Sequence, residues 1–232
     1  LEGMPHKGMG GLSEYMLVSP DCMFKYDKVT PQEAAIIEPV SCVVHSVEAA
    51  QVQMGDMVLV IGCGIMGLLH VEIASRQGAS VIVSDVNEER LKIAKSMGAK
   101  YTVNPKKENL AERVMEITKG IKAQVIFDTT PIASVVEDAF RCVSNTGKIV
   151  LYSSIHPAKK VPFDPGWMHS KSIQMIGTAN SNDRDFVRAA RMVSEGVIDT
   201  KPFISEVYEK EDIKAAFESA VQGDKFRVVV NF

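Results

Sequence analysis

From position 57 onward the chain alternates short aliphatic, β-branched runs with longer segments in which apolar side chains recur every three or four positions. The short runs lie at 57–61, 81–84, 101–103, 125–127, 149–152 and 173–176. They lack the in–out alternation of half-exposed strands and read as strands buried on both faces. Helical periodicity fills the gaps at 66–77, 87–97, 110–118 and 134–143, and the first three stop at Gly78, Gly98 and Gly120. Glycine just past a helix end is a common left-handed cap. Six strands with helical crossovers predict an α/β fold built on a doubly wound, parallel six-stranded sheet of the Rossmann kind.

The two ends follow a different pattern. Residues 1–30 are rich in Gly, Met and Pro, and 13–18 is the one strand expected there, closed by Pro20. A helix is predicted after Pro31 through Ala34-Ala35-Ile36-Ile37, interrupted by Pro39, with a second helix over 41–51. Past 180, Ser181-Asn182-Asp183 can cap a helix whose apolar face is Phe186, Ala190 and Val193 and which ends at Gly196. A short helix over 211–221 and a terminal strand over 226–230 complete the tail. This tail is not expected to continue the βαβ alternation and is assigned to a different structural unit.

Composition narrows the function classes. Hydrophobic residues make up 46% of the 232 and charged residues 24%, the balance of an ordinary globular protein. A net charge of −3 offers no basic surplus for nucleic acid or acidic membranes. No apolar run approaches the roughly 20 residues a bilayer span needs. The start shows no charged region followed by an apolar core, so no signal peptide is expected; a first residue other than methionine points to a processed, excised or incomplete chain. The four cysteines, Cys22, Cys42, Cys63 and Cys142, form no CxxC pair, which argues against a zinc ribbon or disulfide framework and for a reducing, cytoplasmic setting.

The strongest chemical signal is Gly62-Cys63-Gly64-Ile65-Met66-Gly67, which follows one predicted strand and opens a predicted helix. A GxGxxG string alone is weak; its place between strand and helix gives it meaning. Gly62 permits the tight turn, Gly64 lets the backbone approach a pyrophosphate, and Gly67 lets the helix pack closely on the strand. Ile65 and Met66 stand at the helix start, where free N–H groups and the positive dipole end favour phosphate. Asp85 ends the second strand, where a carboxylate can hold the ribose hydroxyls of NAD(H) and repel the 2′-phosphate of NADP. Arg90, near the start of the next helix, reads equally as an adenine or phosphate contact and as a solvated helix charge.

Several stretches resemble the medium-chain, zinc-type alcohol and polyol dehydrogenases, with sorbitol (L-iditol) and threonine dehydrogenases nearest. They are Gly10-Gly11-Leu12-Ser13-Glu14-Tyr15, Ala34-Ala35-Ile36-Ile37-Glu38-Pro39-Val40-Ser41, the glycine loop, Ser84-Asp85-Val86-Asn87 with Arg90-Leu91, and Ser96-Met97-Gly98-Ala99; the 210–220 region also fits. The resemblance covers essentially the whole chain. It implies a partial GroES-like catalytic domain over 1–41, an NAD-binding domain over 42–181, and a return to the catalytic domain over 182–232. It further implies hydride transfer between a secondary alcohol or polyol and NAD, with zinc polarising the alcohol. The family's Cys and His-Glu zinc ligands precede Gly10 and find no match here: of His6, His45, His70, His156 and His169, none is followed by Glu. The chain therefore reads as the C-terminal two-thirds of such an enzyme, expected to carry no catalytic zinc by itself.

Carried over by position, Glu38 is the catalytic carboxylate that ligates zinc or orients its water, given ligands from elsewhere; its apolar neighbours imply partial burial. Its alternative is a solvated charge at a helix end. Cys42 either lines the nicotinamide or is simply core. Thr129 and Thr130, Ser153 and Ser154, and Thr178 and Ala179 follow the fourth, fifth and sixth strands and face the cofactor crevice, although small polar residues also end ordinary strands. His45 and His70 read as packing residues, and Trp167-Met168-His169 as a surface or interface segment. The family pairs its sixth strands, here 173–176, across a twofold axis, which implies a homodimer or homotetramer. Two other readings stay open: a non-catalytic dinucleotide-binding module, and a zinc-free reductase, against which Asp85 and Glu38 argue.

Overall fold

The structure, a computed structural model, describes residues 11–232; residues 1–10, with His6 and Gly10, lie outside the described residues. The chain forms two compact units, Glu38–Ala189 and a second that joins the residues up to Ile37 to Ala190–Phe232.

The first helical turn is α1 (Pro31–Ala34), closed at its start by a reciprocal cap: Thr30 Oγ1 accepts from the Glu33 amide and Glu33 Oε2 accepts from the Thr30 amide at 2.9 Å. The next helix, α2 (Ile37–Ala50), begins two residues before Pro39. The predicted interruption at Pro39 is thus displaced to Ala35-Ile36, because a proline in the first helical turn lacks only an N–H that has no partner there. The strand expected over 13–18 does not form; those residues are exposed and pair with no other strand among the described residues. A run of strand-forming residues alone cannot sustain a strand without a ladder to join.

The middle of the chain runs β1 (Met57–Ile61), α3 (Ile65–Arg76), β2 (Ser80–Ser84), α4 (Glu88–Ser96), β3 (Tyr101–Val103), α5 (Leu110–Ile117), β4 (Ala123–Asp128), α6 (Ala133–Cys142), β5 (Val143–Leu151), α7 (Pro165–Lys171) and β6 (Gln174–Gly177). All six strands are parallel, in the order β3-β2-β1-β4-β5-β6. The predicted doubly wound sheet is therefore present. Two features escaped the sequence pattern: β5 starts six residues earlier than expected, past a register shift against β4 between Ala123 and Val125, and α7 fills a stretch without clear periodicity.

Leu59, Ile82, Ile126 and Ile149 form a fully buried row on neighbouring strands, packed with Val114, Ala139 and Ile173 from outside the sheet. Each such aliphatic side chain contributes roughly 1.5–3 kcal/mol by leaving water, which makes this layer the rigid base of the unit. The register then levels the strand ends: Val103, Ser84, Ile61, Asp128, Leu151 and Gly177 stand side by side across the sheet. Whatever follows these residues lines one edge, at the carboxyl ends of the strands.

Beyond α8 (Asp183–Ser194) come β7 (Ile204–Glu209), α9 (Ile213–Ala220) and β8 (Arg227–Asn231). Here the expectation needs correcting. The tail is itself a βαβ unit, since β7 and β8 pair in parallel with α9 between them, in a separate two-stranded sheet. The polar alternation of β7, half-buried at every second residue, hid it among loop-like residues. Of the four free cysteines, Cys22 is exposed and Cys42, Cys63 and Cys142 are buried. No helix among the described residues is long and apolar enough to cross a membrane.

Candidate functional site

The turn between β1 and α3 is shaped by close backbone approach. Gly62 takes φ +100°, and a Cβ there would lie 2.8 Å from Thr129 Oγ1 and 2.9 Å from Thr130 Cγ2. A Cβ on Gly67 would lie 1.9 Å from the Gly62 carbonyl oxygen, so the first turn of α3 rests directly on the loop. Gly64 is different: a Cβ there would meet nothing within 4 Å. It is the N-cap residue of α3 and supplies no side-chain cap, so the amides of the first turn, at Ile65, Met66 and Gly67, remain for an anion. These residues fit a dinucleotide pyrophosphate: amides at the positive end of a twelve-residue helix, beside a space that any side chain at Gly64 would fill.

Asp85 is brought to this loop. Its Oδ2 accepts from the Cys63 amide at 2.6 Å and its Oδ1 from the Asn87 amide at 2.8 Å. Each carboxylate oxygen keeps a further lone pair for a sugar hydroxyl. Asn87 in turn caps α4, with Oδ1 accepting from the Glu89 and Arg90 amides. Arg90 stands on the first turn of α4, where its charge opposes the upward push that burial and Asp85 give the Cys63 thiol.

Across the loop, Thr129 Oγ1 donates to the Ile61 carbonyl at 2.8 Å, and Thr130 donates from both N–H and Oγ1 to Asp128 Oδ1. Thr129 therefore buttresses the turn, while Thr130 ties back to the end of its own strand. Asp128 is buried and was missed by the sequence reading, which ended its strand at Phe127; burial raises its carboxyl pKa and the two Thr130 donors oppose the rise. The available signal was an acid at a strand end, the same signal that marked Asp85. Ser153 is half-buried and Ser154 exposed, two and three residues past the level row. Thr178 directly follows that row; its Oγ1 is buried with no hydrogen-bond partner, and Ala179 beside it is exposed.

The remaining candidates lie on α2. Glu38 is exposed, not partly buried as its neighbours implied, because Ile37 and Pro39 face inward around it. Its Oε1 accepts from Cys42 Sγ at 3.3 Å, one turn along the helix. Burial, reinforced by Glu38, pushes the Cys42 thiol up to about 11. Ser41 Oγ donates to the Glu38 carbonyl at 2.6 Å and shares a hydrogen bond with Ser181 Oγ at 2.8 Å. One turn further, His45 Nδ1 meets the buried Asp185 Oδ2 at 2.7 Å. His70, on α3, is fully buried between the Met66 carbonyl (2.7 Å) and Ser46 Oγ (3.0 Å), against the rings of Phe127 and Tyr152. Burial lowers its pKa to about 4. Among the described residues no three His, Cys, Asp or Glu side chains are placed to hold a metal ion; Glu38 with a protonated thiol is too small a donor set for zinc.

Comparison with known proteins places this geometry. Residues 66–195 match the sequence family described as zinc-binding dehydrogenase. The sorbitol dehydrogenase of Bacillus subtilis is 26% identical over 92% of this chain and 60% of its own length. The 2-dehydro-3-deoxy-L-galactonate 5-dehydrogenase of Pseudoalteromonas atlantica is 31% identical over 80% of this chain and 54% of its own. A short chain alcohol dehydrogenase of Escherichia coli CFT073, complexed with NADH, superposes with a TM-score of 0.81 at 26% identity, covering 90% of this chain and 62% of that one. A dehydrogenase fold from Sinorhizobium meliloti 1021, bound to NADP, has the same TM-score at 23% identity, over 87% and 60%. The chain thus spans a little over half the length of the relatives it matches.

Proposed function

The chain belongs to the zinc-binding dehydrogenases, and from that premise we propose that it is the NAD(H)-binding part of an alcohol or polyol dehydrogenase. The observation that carries the choice of cofactor is the Asp85 carboxylate, hydrogen-bonded to the Cys63 amide inside the glycine loop at 2.6 Å. An anion fixed there accepts from ribose hydroxyls and repels a 2′-phosphate. In this reading the amides at 65–67 hold the pyrophosphate, Gly62 and Thr129 keep the turn in shape, and Arg90 adds positive charge beside it. Thr130, Ser153, Ser154, Thr178 and Ala179 flank the nicotinamide half, with the unpartnered Thr178 hydroxyl available to it. When bound, NAD supplies the hydride acceptor for a secondary alcohol. Glu38 presents its carboxylate from α2 to accept or hold a proton, with Cys42 fixing the carboxylate from one turn along. The described donors do not make a zinc site, so no step is assigned to the metal.

The same reading takes the residues up to Ile37 and from Ala190 as parts of a GroES-like catalytic domain. It takes the exposed edge strand β6 as the twofold contact of a homodimer or homotetramer, and a cytoplasmic setting as suited to four free thiols. The substrate is a small-molecule alcohol or polyol, with no role for nucleic acid or membrane. A second reading is a dinucleotide-binding module without chemistry, in which the glycine loop and Asp85 serve binding alone. Turnover of sorbitol with NAD⁺ and zinc separates the two.

Calorimetric titration with NADH and NADPH tests the cofactor assignment. Asp85→Ala should weaken NADH about tenfold while leaving NADPH unchanged or tighter; equal loss for both would refute the ribose contact. Glu38→Ala should leave NADH affinity unaltered.

A further inference from the structure

The loops that leave β4 and β5 enclose a second feature, a cavity of about 440 Å³. Its lining takes Pro131, Ser134 and Glu137 from the segment after β4 and His156, Lys159 and Lys160 from the segment after β5. Neither lysine has an ion-pair partner among the described residues, so Glu137 is the sole acid set against two ammonium groups and an imidazole on the lining. The basic residues therefore attract an anion, and Glu137 with Ser134 can take hydroxyls.

The place of the cavity along the chain limits what can reach it. Pro131 directly follows Thr130, and Ile155 directly follows Ser154. Those are the strand-end residues assigned above to the nicotinamide half. A ligand with its reacting carbon there and its far end in the cavity reaches from those strand ends toward the segments that follow them, which suits a chain-like molecule. Its hydroxyls suit Ser134 and Glu137, and its terminus must be negative to suit the lysines.

We propose that this cavity receives the anionic terminus, phosphate or carboxylate, of a linear polyol whose hydroxyl is oxidised at the cofactor. The inference deepens the polyol dehydrogenase reading and rests on it. It narrows the substrate class from neutral alcohols to polyol phosphates or sugar acids.

The test is calorimetric titration of the full chain, with and without NADH, using D-arabitol phosphate, L-galactonate and D-sorbitol as probes. Two double variants accompany the natural sequence: Lys159→Ala with Lys160→Ala, and Lys159→Arg with Lys160→Arg. At low salt at least one anionic probe should bind about tenfold tighter than sorbitol, an advantage lost in the alanine pair, kept in the arginine pair and reduced by added salt. Tighter phosphate identifies a phosphate site and tighter galactonate a carboxylate site. Equal affinity for all three probes, no detectable binding of either anion, or an anion preference that survives the alanine pair overturns the proposal. NADH affinity, measured alongside, separates the failures. Normal NADH binding without anion preference sinks this assignment alone, whereas absent NADH binding sinks the dehydrogenase reading beneath it.

Discussion

The strand ends of the sheet behave differently on its two sides. At the β1–β2 end, backbone and side chains interlock: Gly67 leaves no room for a methyl group, Thr129 ties the turn to Ile61, and Asp85 is bonded through both oxygens. At the β5–β6 end, Ser154 and Ala179 are exposed and the Thr178 hydroxyl is buried without a partner. One end is shaped by close packing before any ligand arrives, while the other leaves a polar atom to be completed by one. An anion-binding loop needs fixed amides, and a site of varied chemistry needs side chains that can be exchanged on an unchanged frame.

Substitutions can break that contrast. The largest effect is expected from Gly67→Ala, whose methyl would meet the Gly62 carbonyl at 1.9 Å. Denaturant unfolding should show a loss of about 3 kcal/mol, and NADH binding should fall beyond calorimetric detection. Next comes His70, which joins the two sides by packing from α3 against Phe127 and Tyr152. Below about pH 6.5 the unfolded chain takes up a proton that the folded ring refuses until about pH 4. Its contribution is thus full above pH 6.5 and is lost as pH falls toward 4, by up to about 3 kcal/mol. His70→Asn should flatten the dependence of unfolding free energy on pH in that window, whatever its effect at neutral pH.

Gly64→Ala sharpens the comparison within the loop itself. The added methyl meets nothing, so stability should fall by no more than about 1 kcal/mol, yet NADH affinity should drop about tenfold because the phosphate approaches there. If Gly64→Ala and Gly67→Ala destabilise the free protein equally, the distinction between packing glycine and ligand glycine fails. The smallest effect belongs to Thr178→Val. Removing a buried, unpaired hydroxyl should leave stability unchanged or raise it by up to about 1 kcal/mol in thermal unfolding. A clear loss would mean that the hydroxyl already has a partner.

The sheet was legible because fully buried parallel strands leave continuous aliphatic runs such as Val58-Leu59-Val60-Ile61, a signal that needs no knowledge of neighbours. The glycine loop was legible for the related reason that steric demands admit one residue type. What stayed hidden depends on partners distant in sequence. The 13–18 run has residues suited to a strand and no ladder to join. Asp128 belongs to the site only because β1 and β4 are paired in register. The exposure of Glu38 follows from which side of α2 faces inward, a matter that a run of apolar neighbours misjudged. Ser41 with Ser181, and His45 with Asp185, join residues 140 positions apart and leave no local trace.

The four thiols offer a practical opening. Burial holds Cys42 at about 11 and Cys142 at about 12, with Cys63 pushed higher still, while Cys22 is exposed. Since the thiolate is the reactive form, a maleimide dye at neutral pH should couple at Cys22 and spare the other three. Among the described residues Cys22 thus offers a single attachment point for fluorescence work on this chain.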